Sequence, residues 1–216
     1  MANPNLYIKQ MEIGPMQNFV YFVGDSQTRE VAVVDAAWNV PQILQAAAEE
    51  DLTITHAFVS HYHYDHTNGL PDLLNELDVP VYVNKEEAVW MKDLAAENTK
   101  AVSSGDKVKI GSVEVEFIHT PGHTPGSHCF LVDNNLVAGD TLFIDACGRT
   151  DLPGGDPEQL FDSLTNKLMK LDDATILYPG HDYAAVTTAT LGEQKQTNPF
   201  LRIGTLDEFL KTLKYK

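Results

Sequence analysis

The stretch that decides the reading is Ser60-His61-Tyr62-His63-Tyr64-Asp65-His66-Thr67-Asn68-Gly69. Three histidines and an aspartate fall within six positions, a density of imidazole and carboxylate that packing a core does not require. Metal binding does require it, because neutral imidazole nitrogen and carboxylate oxygen are preferred donors for zinc and similar cations. On an extended backbone His61 and His63 share a face, since side chains two apart point the same way. Asp65 and His66 lie further on and reach a different point in space. The spacing therefore predicts two donor groups, with capacity for two metals, and the rest of the chain must complete them.

Working outward, the stretch follows an apolar strand expected over Ile54–Val59. Upstream, Leu6–Ile13 and Asn18–Val23 read as strands around a Gly14-Pro15 turn, and Val31–Val34 as a third that ends at Asp35. Pro41 starts an alanine-rich helix. Downstream, Gly69–Leu77 and Lys85–Leu94 read as helices, and Val81–Val83 as a buried strand between them. Residues 98–106 read as polar and turn-rich. Lys107–Ile110, Val113–His119, His128–Val132 and Leu136–Ala138 are expected strands, and residues 144–156 a loop. A helix over Pro157–Leu171, a strand over Ala174–Leu177 and a mostly helical tail from about Tyr183 close the chain. This order predicts an α/β fold: an αββα sandwich of two mixed β-sheets flanked by helices. No linker stands out, so residues 1–216 are expected to form one domain with a short helical C-terminal tail.

Composition sets the outer limits. The 216 residues carry 15 Lys plus Arg against 31 Asp plus Glu, a net charge of −16, which argues against nucleic acid and anionic membrane surfaces as partners. Apolar residues make up 43%, in the globular range. The N-terminus lacks a basic start followed by an apolar run, and no apolar stretch approaches about 18 residues, so neither a signal peptide nor a membrane span is expected. Two cysteines, Cys129 and Cys147, are too few for a disulfide framework. A cytoplasmic, reducing location is the simplest expectation.

Three more donors have suitable surroundings. His123 sits in Thr120-Pro121-Gly122-His123-Thr124-Pro125-Gly126-Ser127, where two Pro-Gly pairs make a rigid turn. Asp140 lies in Gly139-Asp140-Thr141 and His181 in Tyr178-Pro179-Gly180-His181-Asp182. Each follows an expected strand, as His61 does, and strand ends in a layered fold converge on one edge. His56, His119 and His128 read as structural or surface residues.

Together, HxHxDH at 61–66, TPGHTPGS at 120–127, GDTLF at 139–143 and PGHD at 179–182 resemble the metallo-β-lactamase superfamily, in that family's order and across nearly the whole chain. The resemblance implies a metal site between the sheets. His61, His63 and His123 would hold the first metal, Asp65, His66 and His181 the second, with Asp140 bridging. An aspartate at position 140 and Gly148-Arg149-Thr150-Asp151 are similar to the short glyoxalase II-like hydrolases and to the persulfide dioxygenases. The short segment after His181 leaves little room for the longer helical domain of glyoxalase II proper.

Two activities follow from the resemblance. The first is a metal-dependent hydrolase with two divalent ions, zinc or mixed iron and manganese, cleaving a small-molecule thioester such as an acylated glutathione. Hydroxide generated by Lewis acidity attacks the thioester, and Asp65 orients its metal and accepts a proton. The alternative is a glutathione-persulfide dioxygenase with one Fe(II) held by His61, His123 and Asp140. In that branch, residues matching Arg149 and Tyr183 contact the thiol tripeptide. Arg149 also reads as a structural arginine bonding loop carbonyls, and Tyr183 as a packed tyrosine. A homodimer is common in the family.

Overall fold

The first strand pair sets the frame. The computed structural model describes residues 3–91 and 97–213, and in it β1 (Leu6–Ile13) and β2 (Asn18–Asp25) form an antiparallel hairpin. There follow β3 (Glu30–Val34), α1 (Val40–Ala48), β4 (Thr53–Phe58), α2 (Tyr64–Thr67), α3 (Leu70–Glu76), β5 (Val81–Asn84), α4 (Lys85–Ala88) and β6 (Thr99–Val102). These strands make one six-stranded sheet in the order β1-β2-β3-β4-β5-β6, antiparallel to β3 and parallel beyond it.

The second half supplies β7 (Lys107–Ile110), β8 (Val113–His119), β9 (His128–Val132), β10 (Asn135–Val137), β11 (Leu142–Phe143), β12 (Ala146–Cys147), α5 (Pro157–Asp162), β13 (Ile176–Tyr178), β14 (Ala189–Thr190), α6 (Leu191–Thr197) and α7 (Leu206–Leu213). Its main sheet runs β14-β13-β10-β9-β8-β7, antiparallel except for the β10–β13 pair. The expected αββα sandwich of two mixed sheets is the observed architecture.

Side-chain alternation explains the layering. Along β2, Phe19, Tyr21 and Val23 face the second sheet and, with Phe58 of β4, join Phe117, Phe130 and Val132 there. Val20 and Phe22 point the other way and pack with Ile43 of α1 and Leu70 and Leu73 of α3. A third apolar layer, including Leu136, Leu177, Leu160, Leu191 and Phe209, covers the outer face of the second sheet with α5, α6 and α7. Between the sheets Phe58 stacks on Phe130 with centroids 5.5 Å apart and meets Phe117 edge-on at 5.0 Å. Among the described residues no helix is long and apolar enough to cross a membrane.

Several expected elements differ. Residues 98–106 contain β6, an edge strand with Lys100 and Ala101 exposed, so its sequence carries little apolar signal. The helix expected over Lys85–Leu94 is helical only to Ala88. Asn84 caps its start, and Trp90 stacks on Tyr62 instead of extending the helix; residues 92–94 lie outside the described residues. Pro157–Leu171 is helical but not uniform: a wide turn over Ser163–Lys167 and a tight one over Leu168–Lys170 follow α5. Ser163 Oγ donates to Pro121 O at 2.8 Å, tying this turn to the loop that carries His123. The tail is not helical from Tyr183, because β14 first pairs with β13. The loop expected over 144–156 includes the two residues of β12.

Candidate metal centre

Strand ends bring the seven sequence-predicted donors together. β4 ends one residue short of Val59, and His61, His63, Asp65 and His66 follow on the connection and the short α2. Asp140 lies just beyond β10 and His181 just beyond β13; because these strands are parallel neighbours, both residues emerge on the same edge. The pairing continues past the strands, with Gly180 N donating to Gly139 O at 2.9 Å. A Cβ on Gly180 would lie 2.3 Å from Asp140 Oδ1, so only glycine leaves room for that carboxylate. The β1–β2 hairpin holds the other side, where Phe19 N donates to Gly180 O at 2.8 Å and Asp182 N to Gln17 O at 2.8 Å.

Two groups of three donors result, each with its donor atoms within 4.8 Å of one another: His61, His63 and His123, and Asp65, His66 and His181. Asp140 stands between them. Its Oδ1 is 3.3 Å from His66 Nε2, and its Oδ2 is 3.4 Å from His181 Nε2 and 3.6 Å from His123 Nε2. His66 Nε2 and His181 Nε2 are 3.2 Å apart, and His63 Nδ1 and His123 Nε2 2.9 Å apart.

The outward ring nitrogens are fixed by hydrogen bonds, which selects the inward-facing donors. His123 Nδ1 donates to Arg149 O at 2.7 Å and His181 Nδ1 to Met16 O at 2.9 Å. His66 Nδ1 donates to Asp35 Oδ2 at 2.9 Å. His61 Nδ1 lies 2.9 Å from Ser60 Oγ, whose hydroxyl donates to Asp35 Oδ2 at 2.6 Å. Asp35, His61 and His66 also form a close trio, but the Asp35 contact with His66 uses the outward Nδ1, so Asp35 supports the donors from behind. Asn18 Nδ2 donates to Asp65 Oδ2 at 3.0 Å, and Trp38 Nε1 to Asn18 Oδ1 at 2.7 Å.

The donor set fits a cation. His61 Nε2 and Asp140 Oδ1 are buried and lack a hydrogen-bond partner among the described residues, a costly state for polar atoms that a bound cation would relieve. Burial pushes His61 well below the imidazole range, His63 to about 4, and His123 below its ordinary value, so this trio is neutral. The other trio differs. Burial opposes it, yet Asp140 and Asp65 lift His181 to about 9, and Asp140 and Asp35 hold His66 well above its ordinary range. Against the same opposition from burial, His66 and His181 hold Asp140 well below the carboxylate range.

Arg149 and Tyr183 line the cleft of about 360 Å³ over these donors, with Met16, Phe143 and Leu152. The Arg149 guanidinium is exposed and pairs with Asp151 through two 2.7 Å contacts, while its carbonyl holds His123. The Tyr183 ring stacks on His181, centroids 4.6 Å apart, and its hydroxyl donates to Met16 O at 3.3 Å. His56, His119 and His128 lie outside both trios. Sequence reading singled out neither Asp35, Ser60 nor Asn18; only Asp35 left a trace, as the polar end of the apolar run Val31–Val34.

Fold and donor geometry together define an αββα protein with a candidate metal centre at one edge of its sheets. The sequence model of the metallo-β-lactamase superfamily matches residues 13–181, and the chain belongs to that superfamily. It is 30% identical to the mitochondrial persulfide dioxygenase ETHE1 of Homo sapiens, over 96% of this chain and 80% of that protein. It is also 30% identical to the probable hydroxyacylglutathione hydrolase glo2 of Schizosaccharomyces pombe, over 88% of this chain and 85% of that one. The crystal structure of ETHE1 from Myxococcus xanthus superposes with a TM-score of 0.87 at 32% identity, over 96% of this chain and 90% of that chain.

Proposed function

We propose that this protein is a metal-dependent hydrolase that cleaves a thioester of a small thiol, such as an acylated glutathione, with two divalent ions of zinc, iron or manganese. The observation that carries this reading is the presence of two complete donor trios on either side of Asp140. His61, His63 and His123 would hold one ion, Asp65, His66 and His181 the other, and Asp140 both. Bound there, the metals supply Lewis acidity that brings the pKa of water to about 7 and polarises the thioester carbonyl. The chain's own groups do the rest. Asp65 faces the cleft with Asn18 holding its carboxylate, and it takes up the proton released on attack. Tyr183, whose ring stacks on His181, donates to developing negative charge once its hydroxyl leaves Met16 O, 3.3 Å away. Arg149 offers an exposed cation to a substrate carboxylate. A thiolate leaves without a strong general acid.

A second reading has its own support. The similarity to ETHE1 over nearly the full chain, together with Arg149 and Tyr183 at the cleft, suits a persulfide dioxygenase with one Fe(II) on His61, His123 and Asp140. Elemental analysis of the purified protein, combined with O₂ uptake, separates the two. Hydrolysis predicts two ions per chain and thioester cleavage under anaerobic conditions; one iron with persulfide-dependent O₂ consumption overturns it. His66→Ala sharpens the comparison. The hydrolase loses several kcal/mol of charge stabilisation, about a thousandfold in rate, whereas a mononuclear iron site keeps its metal.

The protonation pattern adds a pH prediction. Donors must be deprotonated to bind, so metal displaces protons from His66 and His181 but finds His61, His63 and His123 neutral. In chelator-treated protein, affinity for the second ion is expected to rise about tenfold per pH unit for each proton displaced. That rise should become shallower near pH 9, where His181 loses its proton, and continue above it for His66, while the first ion's affinity is nearly flat above pH 7. Calorimetric titration in buffers of different ionisation enthalpy measures the proton release directly; equal pH slopes for both ions would contradict the assignment.

A further inference from the structure

The carboxylate of Glu87 is fully buried although it belongs to none of the donor trios. It sits in α4. Its two oxygens reach two different loops. Oε2 accepts from Tyr62 N at 2.8 Å, the backbone between His61 and His63. Oε1 accepts from Thr124 Oγ1 at 2.6 Å and from Gly126 N at 2.6 Å, both in the turn that carries His123. The approach is close by construction: a Cβ on Gly126 would lie 2.6 Å from Glu87 Cγ and 2.7 Å from Glu87 N. A buried carboxylate is costly unless its oxygens are satisfied, and here every donor comes from a backbone or hydroxyl group flanking a histidine of one trio.

We infer that Glu87 is a positioning residue: by clamping the Tyr62 backbone to the Thr124–Gly126 turn, it sets the separation of His63 and His123 and thereby the metal affinity of the His61, His63 and His123 half alone. The inference rests on the metal role proposed above for those histidines. The clamp makes no hydrogen bond to Asp65, His66 or His181, which depend instead on Asn18, Asp35 and Met16. Asp35 reaches both halves, His66 directly and His61 through Ser60, whereas the Glu87 clamp reaches the His61, His63 and His123 half alone. A glutamine at position 87 cannot replace the clamp, because its single oxygen satisfies one loop while its amide N–H groups face the donors of the other.

The test separates support of one half from general stabilisation of the fold. Chelator-treated full-length protein is titrated with Co(II), following the visible absorption of the bound ion, in two backgrounds. His66→Ala leaves the His61, His63 and His123 half; His63→Ala leaves the Asp65, His66 and His181 half. Adding Glu87→Gln is expected to weaken Co(II) binding about 10–100-fold in the first background, the loss typical of supports behind metal ligands, and to alter its spectrum. In the second background the change should stay within about threefold. Equal losses in both, or none in either, overturn the inference. Should Glu87→Gln not fold, Thr124→Val removes one clamp hydrogen bond and carries the same comparison with a smaller loss. If the unsubstituted protein binds no Co(II) at all, the proposed metal role fails instead, a result distinct from either outcome of the clamp test.

Discussion

On the dinuclear hydrolase reading proposed above, replacing Asp140 by Asn is expected to reduce thioester hydrolysis by about a thousandfold or more, about 4 kcal/mol of barrier, and to lower the metal content from the two ions per chain of that reading to fewer than one. The side chain keeps its shape, so the cause is charge and lone pairs. Asp140 is within 3.6 Å of nitrogens from three histidines, which belong to both trios. An amide offers one oxygen where two are used and turns an N–H group toward ring nitrogens that face inward. The same substitution changes the pH dependence of stability in chelator-treated protein. His181, lifted to about 9, contributes stability that is fully present below the unfolded value near 6.5 and is lost as pH rises through 9. Asp140→Asn removes much of that contribution. Its urea midpoint should therefore fall furthest below the parent's near pH 6, and the gap should narrow as pH rises through 9, the part carried by His66 persisting above it. A constant gap across that range would show that the imidazolium–carboxylate contact is not its origin.

The candidate donors that the fold brings together were legible in the sequence, and the groups bonded behind them largely were not. His61, His63, Asp65 and His66 announce themselves by density, and His123, Asp140 and His181 by position after apolar strands. Parallel pairing of β10 with β13 then does what the sequence order suggested, placing Asp140 and His181 on one edge. Asp35 follows an apolar strand too, but without a motif around it, and Glu87 carries no such mark. An aspartate ending a strand and a glutamate opening a helix are what those residues ordinarily do at exposed ends. Their importance arises from partners 25 to 39 residues away, brought close only by the completed sheets. Edge strand β6 was hidden for a related reason: its side chains outside the core are Thr99, Lys100 and Ala101, which by themselves read as surface. Local patterns report burial, whereas a support buried by a distant loop leaves no periodic trace.

Asp35→Ala is expected to destabilise the chelator-treated protein by about 3 to 5 kcal/mol, the cost of removing one partner from a buried ion pair. Asp35 Oδ1 accepts from Ser60 N at 2.7 Å, and Oδ2 accepts from Ser60 Oγ at 2.6 Å and His66 Nδ1 at 2.9 Å. All three donors are buried, and alanine leaves them without an acceptor. Alanine is also strained at the Asp35 backbone, which has a φ of 53° that aspartate and asparagine tolerate better. Asp35→Asn separates the two effects: it keeps the backbone preference and one acceptor oxygen, though its NH2 faces donors that the second oxygen accepted from, so its destabilisation in urea should be smaller. Both variants release the His66 ring, and the ion held with Asp65 and His181 should bind about 10–100-fold more weakly. That loss falls on the half that Glu87 does not clamp. If Asp35→Asn instead weakened the His61, His63 and His123 half more strongly, the route through Ser60 to His61 would outweigh the direct bond to His66, and the two halves would share one support.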